Sequence, residues 1–204
     1  MRFSLWKLGL LLLTISSVST AVGSLNYILG DPGNFAYPFA DKYQRHLLLV
    51  RTHGVAAALT LLLGPLGFVP KLAFHRQRGQ VYMLGVLLGT ITAIPMSLMA
   101  EGGSISQVGF LVMSLLWGYT GFQAFQTARR RDFVEHRIWV FRNFALSFGA
   151  VAFRAYLYHL QIHGFAFHTI YPSAVWVCWV AVMMVTEALL LLSPGGHKDK
   201  ALQP

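Results

Sequence analysis

Polar positions along this chain fall in short clusters, and six long apolar runs lie between them, near residues 8–29, 47–69, 81–99, 107–127, 138–160 and 173–192. A helix needs about 20 mostly apolar residues to cross a bilayer core, and each run has that length. None shows the two-residue alternation of a membrane β-strand. The pattern therefore predicts a single all-α integral membrane domain over 1–204, a bundle of six transmembrane helices. The first run has a second reading. "MRFSLWK" is a basic leader, "LGLLLLTISSVS" an apolar stretch, and Ala21, Gly23 and Ser24 are small, which is the form of a cleavable signal peptide. Apolar character continues to Leu29, longer than such a stretch needs, and this favours a retained helix.

Composition agrees with the pattern. Hydrophobic residues make up 55% of the chain and charged residues 11%, against about a quarter charged in soluble domains. The formal net charge of +9 raises the question of a polyanionic partner, but its distribution answers it. With the N-terminus cytoplasmic and six crossings, twelve Lys and Arg fall on the inner side, and only Lys42, Arg45, Arg51 and Arg154 fall on the outer. This is the positive-inside bias. It places both termini in the cytoplasm of a multi-pass inner-membrane protein, and it makes "ARRRDFVEHR" a topology signal rather than a nucleic-acid site. The one cysteine, Cys178, excludes an intrachain disulfide. The longest outer loop, Gly30 to Gln44, opens on a turn signal, Asp-Pro-Gly. Its aromatics Phe35, Tyr37, Phe39 and Tyr43 are expected at the lipid interface, with a substrate lid as the alternative.

Ionisable groups inside a membrane are costly and mark functional sites by default. On the fifth run His136, Asn143, Ser147 and Arg154 fall on one helical line, which must face the bundle or a water-filled cavity rather than lipid. Arg142 points away from that line at a depth matched by Glu187 on the sixth run, and the two are expected to pair. His53 heads a stripe with Ala57, Thr60, Gly64 and Gly67, while Gly85, Gly89 and Ala93 form a facing small-residue stripe suited to close helix packing. His75-Arg76 and His136-Arg137 open the third and fifth helices at the inner face. His159 and His163 stand four apart, a spacing that can chelate a metal, without an HExxH beside them.

Taken in order, "HGVAAALTLLLGPLGF", "HRQRGQVY", Gly109-Phe110, "RDFVEHRIWVFRNFALSFGAVAFR" and Trp179 with Glu187 resemble the bacterial membrane family catalogued as domain of unknown function 2306. The resemblance runs from His53 to Glu187. It implies that His53, Gly64, Pro65, Phe68, His75, Arg76, Gly79, Tyr82, Asp132, His136, Arg137, Trp139, Arg142, Arg154, Trp179 and Glu187 are signature positions. The chain departs from the family at Gln80, where Arg is frequent, and at Met183-Met184, where Asn is usual. The resemblance implies a fold and a motif set but no established activity.

Neutral imidazole is a common haem ligand, and bundles hold cofactors with His on facing helices. An inner haem b would use His75 and His136, with Arg76, Arg78 or Arg137 at its propionates. An outer one would use His53, with Arg154 on a propionate. The fourth run carries no His, so the two-haem arrangement of the ascorbate-dependent transmembrane cytochromes b is not reproduced. A quinone held by the same His and Arg residues is the related reading, with a respiratory-chain protein as redox partner and membrane lipid around the bundle. A cofactor-free assembly or scaffold factor is the main alternative. Transport is disfavoured, because the prolines lie toward helix ends and the midplane is nearly all apolar.

Overall fold

The computed structural model describes residues 5–34, 39–69 and 73–192. Every regular element among them is helical. In chain order these are α1 (Leu5–Gly23), α2 (Leu25–Leu29), a 3-10 turn (Pro32–Asn34), α3 (Ala40–Arg45), α4 (Leu47–Gly67), α5 (His75–Leu98), α6 (Gly103–Arg129), α7 (Phe133–Ile162) and α8 (Phe167–Leu192).

The helices outrun the apolar runs that predict them. α5 begins at His75, as expected, so "HRQRGQ" forms its first turns. α7 begins at Phe133, inside the charged stretch, because Asp132 caps it: its carboxylate accepts from the Glu135 N–H at 3.1 Å, the Asp-x-x-Glu form of a helix start. Arg131 makes the preceding turn in the left-handed region, φ +62°, where the Asp132 N–H reaches back to Thr127 O at 3.0 Å. The first run is not one helix but breaks at Ser24 into α1 and α2.

Five segments are long and apolar enough to cross a membrane: Lys7–Leu29, Leu47–Gly67, His75–Leu98, Gly103–Arg129 and Phe167–Leu192. α7, at 30 residues the longest helix, falls short in apolarity, and its position accounts for this. It packs against α6, α8, α4 and α1, while α4, α5 and α6 pack on one another in turn and α6 packs on α8. The other long helices thus form an arc with α7 inside it. Asn143, Phe144, Ala145, Leu146 and Ser147 are all buried. Five consecutive residues at 100° each complete a full circuit of the helix, so α7 is covered on every face at that level. α5 and α6 instead bury residues at three- and four-residue intervals, one face each. A helix enclosed by protein can carry polar side chains that a lipid-facing helix cannot.

Small residues let the arc close. A Cβ at Gly85 would lie 3.1 Å from Ala56 O, and one at Gly89 would run into the Trp117 ring; this is the α4–α5–α6 contact that the small-residue stripes predict. Gly64 of α4 lies flat against the Phe144 ring of α7. Around these contacts Tyr82, Val86, Trp117, Phe144, Leu146, Cys178 and Trp179 form the main core. Ala21, Ala58, Leu61 and Val151 form a smaller one where α1 meets α4 and α7.

Close approach at Gly64 has a direct test. Gly64→Ala should destabilise the bundle by about 1–3 kcal/mol through overpacking against Phe144. Gly79→Ala, whose Cβ would meet nothing within 4 Å, should be neutral or stabilising by up to about 1 kcal/mol. Thermal unfolding in detergent checks both, and equal shifts would contradict the packing.

Candidate functional site

In the middle of the α7 polar line, Asn143 and Ser147 face the bundle and are fully bonded. The Asn143 carboxamide Oδ1 accepts from the Tyr82 hydroxyl at 2.7 Å, and its Nδ2 donates to Trp117 O at 2.8 Å and to Thr120 Oγ1 at 2.9 Å. Ser147 Oγ accepts from the Trp117 indole N–H at 2.9 Å and donates to Asn143 O at 3.2 Å. Thr120 directs its own proton to Leu116 O at 2.9 Å. Asn143 is 0% exposed. Three helices are thus locked together, and the Asn143 carboxamide has its capacity taken up within the protein. Of these residues Tyr82 appears above only as a signature position, while Trp117 and Thr120 escape notice altogether; their signal is the seven-residue spacing described next.

His75 and His136 follow the register of this network. His75 precedes Tyr82, and His136 precedes Asn143, by seven positions each, two turns or about 10 Å. Ala124 follows Trp117 by the same step. His75 and His136 therefore fall on one seam below the network. His136 Nδ1 lies 2.8 Å from Ala124 O, so it is the donor and leaves Nε2 for another partner. His75, the first residue of α5, is exposed and makes no hydrogen bond among the described residues. Arg76 and Arg137, beside them, are exposed as well.

At the opposite end, His53 Nδ1 lies 3.2 Å from Gly89 O and 3.1 Å from Thr92 Oγ1 on α5. The Thr92 hydroxyl already donates to Leu88 O at 2.7 Å, which makes Nδ1 the donor to this group and again leaves Nε2. A main-chain anchor on one ring nitrogen fixes the tautomer and aims the other. Arg154, one further step along the polar line, leaves the buried interior. Its Nη1 bonds Ala150 O at 3.1 Å and its Nη2 reaches Ser24 Oγ at 3.4 Å, where α1 gives way to α2. No carboxylate among the described residues pairs with it, and its charge acts on the His53 ring.

Part of the outer loop covers this end. Lys42 pairs with Glu101 at 2.5 Å and also bonds Met99 O at 3.3 Å, which pins α3 across the α5–α6 turn. Phe39 stacks on Tyr43 and meets Phe167 and Tyr171, and Tyr43 also meets Tyr27 edge-on. Burial pushes the Tyr43 phenol up to about 12. Phe39 and Tyr43 are thus packed on the bundle end, against aromatic partners on α8 and α2. Phe35 and Tyr37 lie outside the described residues.

Arg142 and Glu187 pair as their depths predict. The guanidinium Nε and Nη2 donate to the two carboxylate oxygens at 2.6 and 2.8 Å, and its carbon sits 4.8 Å from the centre of the Trp139 ring. The pair is only partly covered, with side chains 24% and 40% exposed, so it joins α7 to α8 without forming part of an enclosed site. His159 and His163 use their spacing differently from a chelate: His163 Nδ1 bonds His159 O at 2.8 Å as α7 ends.

A family model described as "Predicted membrane protein (DUF2306)" matches residues 50–190, and the chain belongs to that family. It is a membrane protein with several apolar helices. No curated protein and no solved structure matches it.

The ion pair gives the second prediction. Glu187→Gln alone strands Arg142 and should cost about 2 kcal/mol, the scale of a lost charged hydrogen bond. Arg142→Gln with Glu187→Gln should recover part of this, because no charge is then left unpaired. Thermal unfolding of the cycle checks it; equal losses in the single and double variants would mean that Arg142 reaches water by itself.

Proposed function

We propose that this chain crosses the cytoplasmic (inner) membrane six times and binds a quinone at the His53–Arg154 end of the bundle, in membrane electron transfer. α7 supplies the sixth crossing in this reading. Its 30 residues extend about 45 Å, more than the bilayer core, and its neighbours are helices of membrane-spanning character. Six crossings put both termini on one side, and the charge bias makes that side cytoplasmic.

The observation that carries the binding proposal is His53, anchored through Nδ1 and leaving Nε2, beside an Arg154 that no carboxylate among the described residues neutralises. A quinone has two carbonyl acceptors on a small flat ring. Arg154 donates to one oxygen, and His53 Nε2 accepts from the hydroxyl at the other in the quinol form. Oxidation of the quinol to the quinone breaks both O–H bonds; one proton passes to His53 Nε2, the other to water at this end of the bundle, and the two electrons to a respiratory-chain redox protein. Haem b is less well supported at this end. The α4–α5 seam beside His53 is closed at Gly85 and Gly89, and the other histidines there, His46, His159, His163 and His168, stand exposed at or near helix ends. The shared seam of His75 and His136 favours haem b as a second reading, at the inner end.

One preparation tests both. The protein is purified in mild detergent from haem-replete cells, retained quinone is extracted and quantified, and a short-tailed quinone is titrated against tryptophan fluorescence. His53→Ala and Arg154→Gln should each weaken quinone binding by about tenfold or more, whereas His75→Ala should not. A Soret band that shifts on reduction and disappears in His75→Ala or His136→Ala would move the function to haem at the inner seam. A protein that retains neither would be an assembly or scaffold factor.

A further inference from the structure

A groove of about 320 Å³ runs along the outward side of α4, lined by Ile28, Arg51, Thr52, Val55, Ala56, Leu59 and Leu88. Its walls are apolar apart from Arg51 and Thr52, which stand together at one end. Val55 and Leu88 are 45% and 39% exposed, so the trough opens away from the bundle, toward lipid. From Arg51 to Leu59 it extends about 12 Å along the helix. Arg51 stands one turn from the start of α4, about 6 Å inside it, which is the depth of lipid headgroups and the first methylenes.

Arg51 is poorly provided for. One guanidinium nitrogen donates to Gly30 O at 3.0 Å, while Nε is buried without a partner. Two other cations in or beside the bundle are answered by carboxylates: Arg142 by Glu187 and Lys42 by Glu101. A guanidinium at this depth with one hydrogen bond is costly unless something else meets it. Planar, charge-assisted bonding to phosphate is the chemistry it is suited to.

We infer that this groove holds one phospholipid from the leaflet at the start of α4, with its phosphate on Arg51 and Thr52 and an acyl chain along Val55, Ala56, Leu59 and Leu88. The two halves of the site select this occupant together. A free anion would meet Arg51 but leave the trough unfilled, and an apolar helix of another protein would fill the trough but strand the guanidinium. A phospholipid does both, and its acyl chain has the length and flexibility for a trough of this size. The site does not depend on His53 or on quinone binding.

Native mass spectrometry of the full chain released from detergent tests the assignment, with phosphatidylglycerol, a diacylglycerol of the same chains and inorganic phosphate as separate probes. One phosphatidylglycerol should stay bound at a collision energy that strips the diacylglycerol. Arg51→Gln should lower its retention about tenfold, and Arg51→Lys should lower it less. Val55→Trp fills the trough from its lipid-facing side and leaves Arg51 in place, so it should lower retention with an unchanged melting temperature. Equal retention of phosphatidylglycerol by Arg51→Gln and the unaltered chain would overturn the inference. So would equal retention of the two lipids, binding of inorganic phosphate that survives in Val55→Trp, or a quinone displaced by Val55→Trp.

Discussion

The carboxamide of Asn143 makes three hydrogen bonds to side chains and main chain of α5 and α6, at a depth where hydrocarbon offers no water to replace any of them. Each bond has a direction, so the network specifies how α5, α6 and α7 are rotated against one another. Apolar packing alone would allow many rotations, because lipid tails are as apolar as leucine and do not drive helices together. Trp117 shows how the two effects are joined. Its indole N–H bonds Ser147 while its ring edge fills the space over Gly89, so the polar lock on α7 also positions the α4–α5 contact.

That lock divides the bundle into two ends of similar design. At each end a histidine bonds a neighbouring main chain through Nδ1: His136 to Ala124 O on α6, and His53 to Gly89 O on α5. The accepting carbonyls already serve as helix acceptors, so the anchor needs no side-chain partner and leaves the packing undisturbed. What differs is the surrounding charge. The His136 end is flanked by exposed arginines, whereas the His53 end holds Arg154 and a strap of aromatics fastened by Lys42 and Glu101.

Much of this was legible from residue order alone. The Arg142–Glu187 pair follows from depth, the inward direction of the α7 polar line follows from helical phase, and the close α4–α5 approach follows from the small-residue stripes. The sequence could not show which neighbours the polar line would choose. Tyr82 and Trp117 carry their polar atoms on aromatic rings, so each reads as core or interface until the facing helix is known. The helix starts were legible in part: His75 opens its helix as expected, while α7 begins three residues before His136 because Asp132 caps it and "FVEHR" holds no glycine or proline. The packing of Phe39 and Tyr43 was not legible, because it depends on where Phe167 and Tyr171 of α8 stand.

In a membrane bundle, how completely a polar group is satisfied separates fold from function better than its depth does. Asn143, Ser147 and Tyr82 are the most deeply placed polar side chains on their seam, and all their partners lie within the protein, so they explain architecture and leave nothing over. Arg142 and Glu187 are also accounted for, by each other. Among the described residues, several groups outside this network keep bonding capacity: Nε2 of His53 and of His136, the guanidinium of Arg154, that of Arg51 at the head of an apolar trough, and the buried Ser17, Ser106 and Trp179 polar atoms. Protein folding gains nothing from leaving such groups at this depth, since an under-bonded cation or imidazole near hydrocarbon costs free energy that a leucine would not. Their persistence beside a fully bonded Asn143 network is best explained by molecules that complete them, and the chemistry of what is missing differs from place to place. On the readings proposed above, a neutral ring with paired oxygens would complete His53 and Arg154, and a phosphate with a chain attached would complete Arg51.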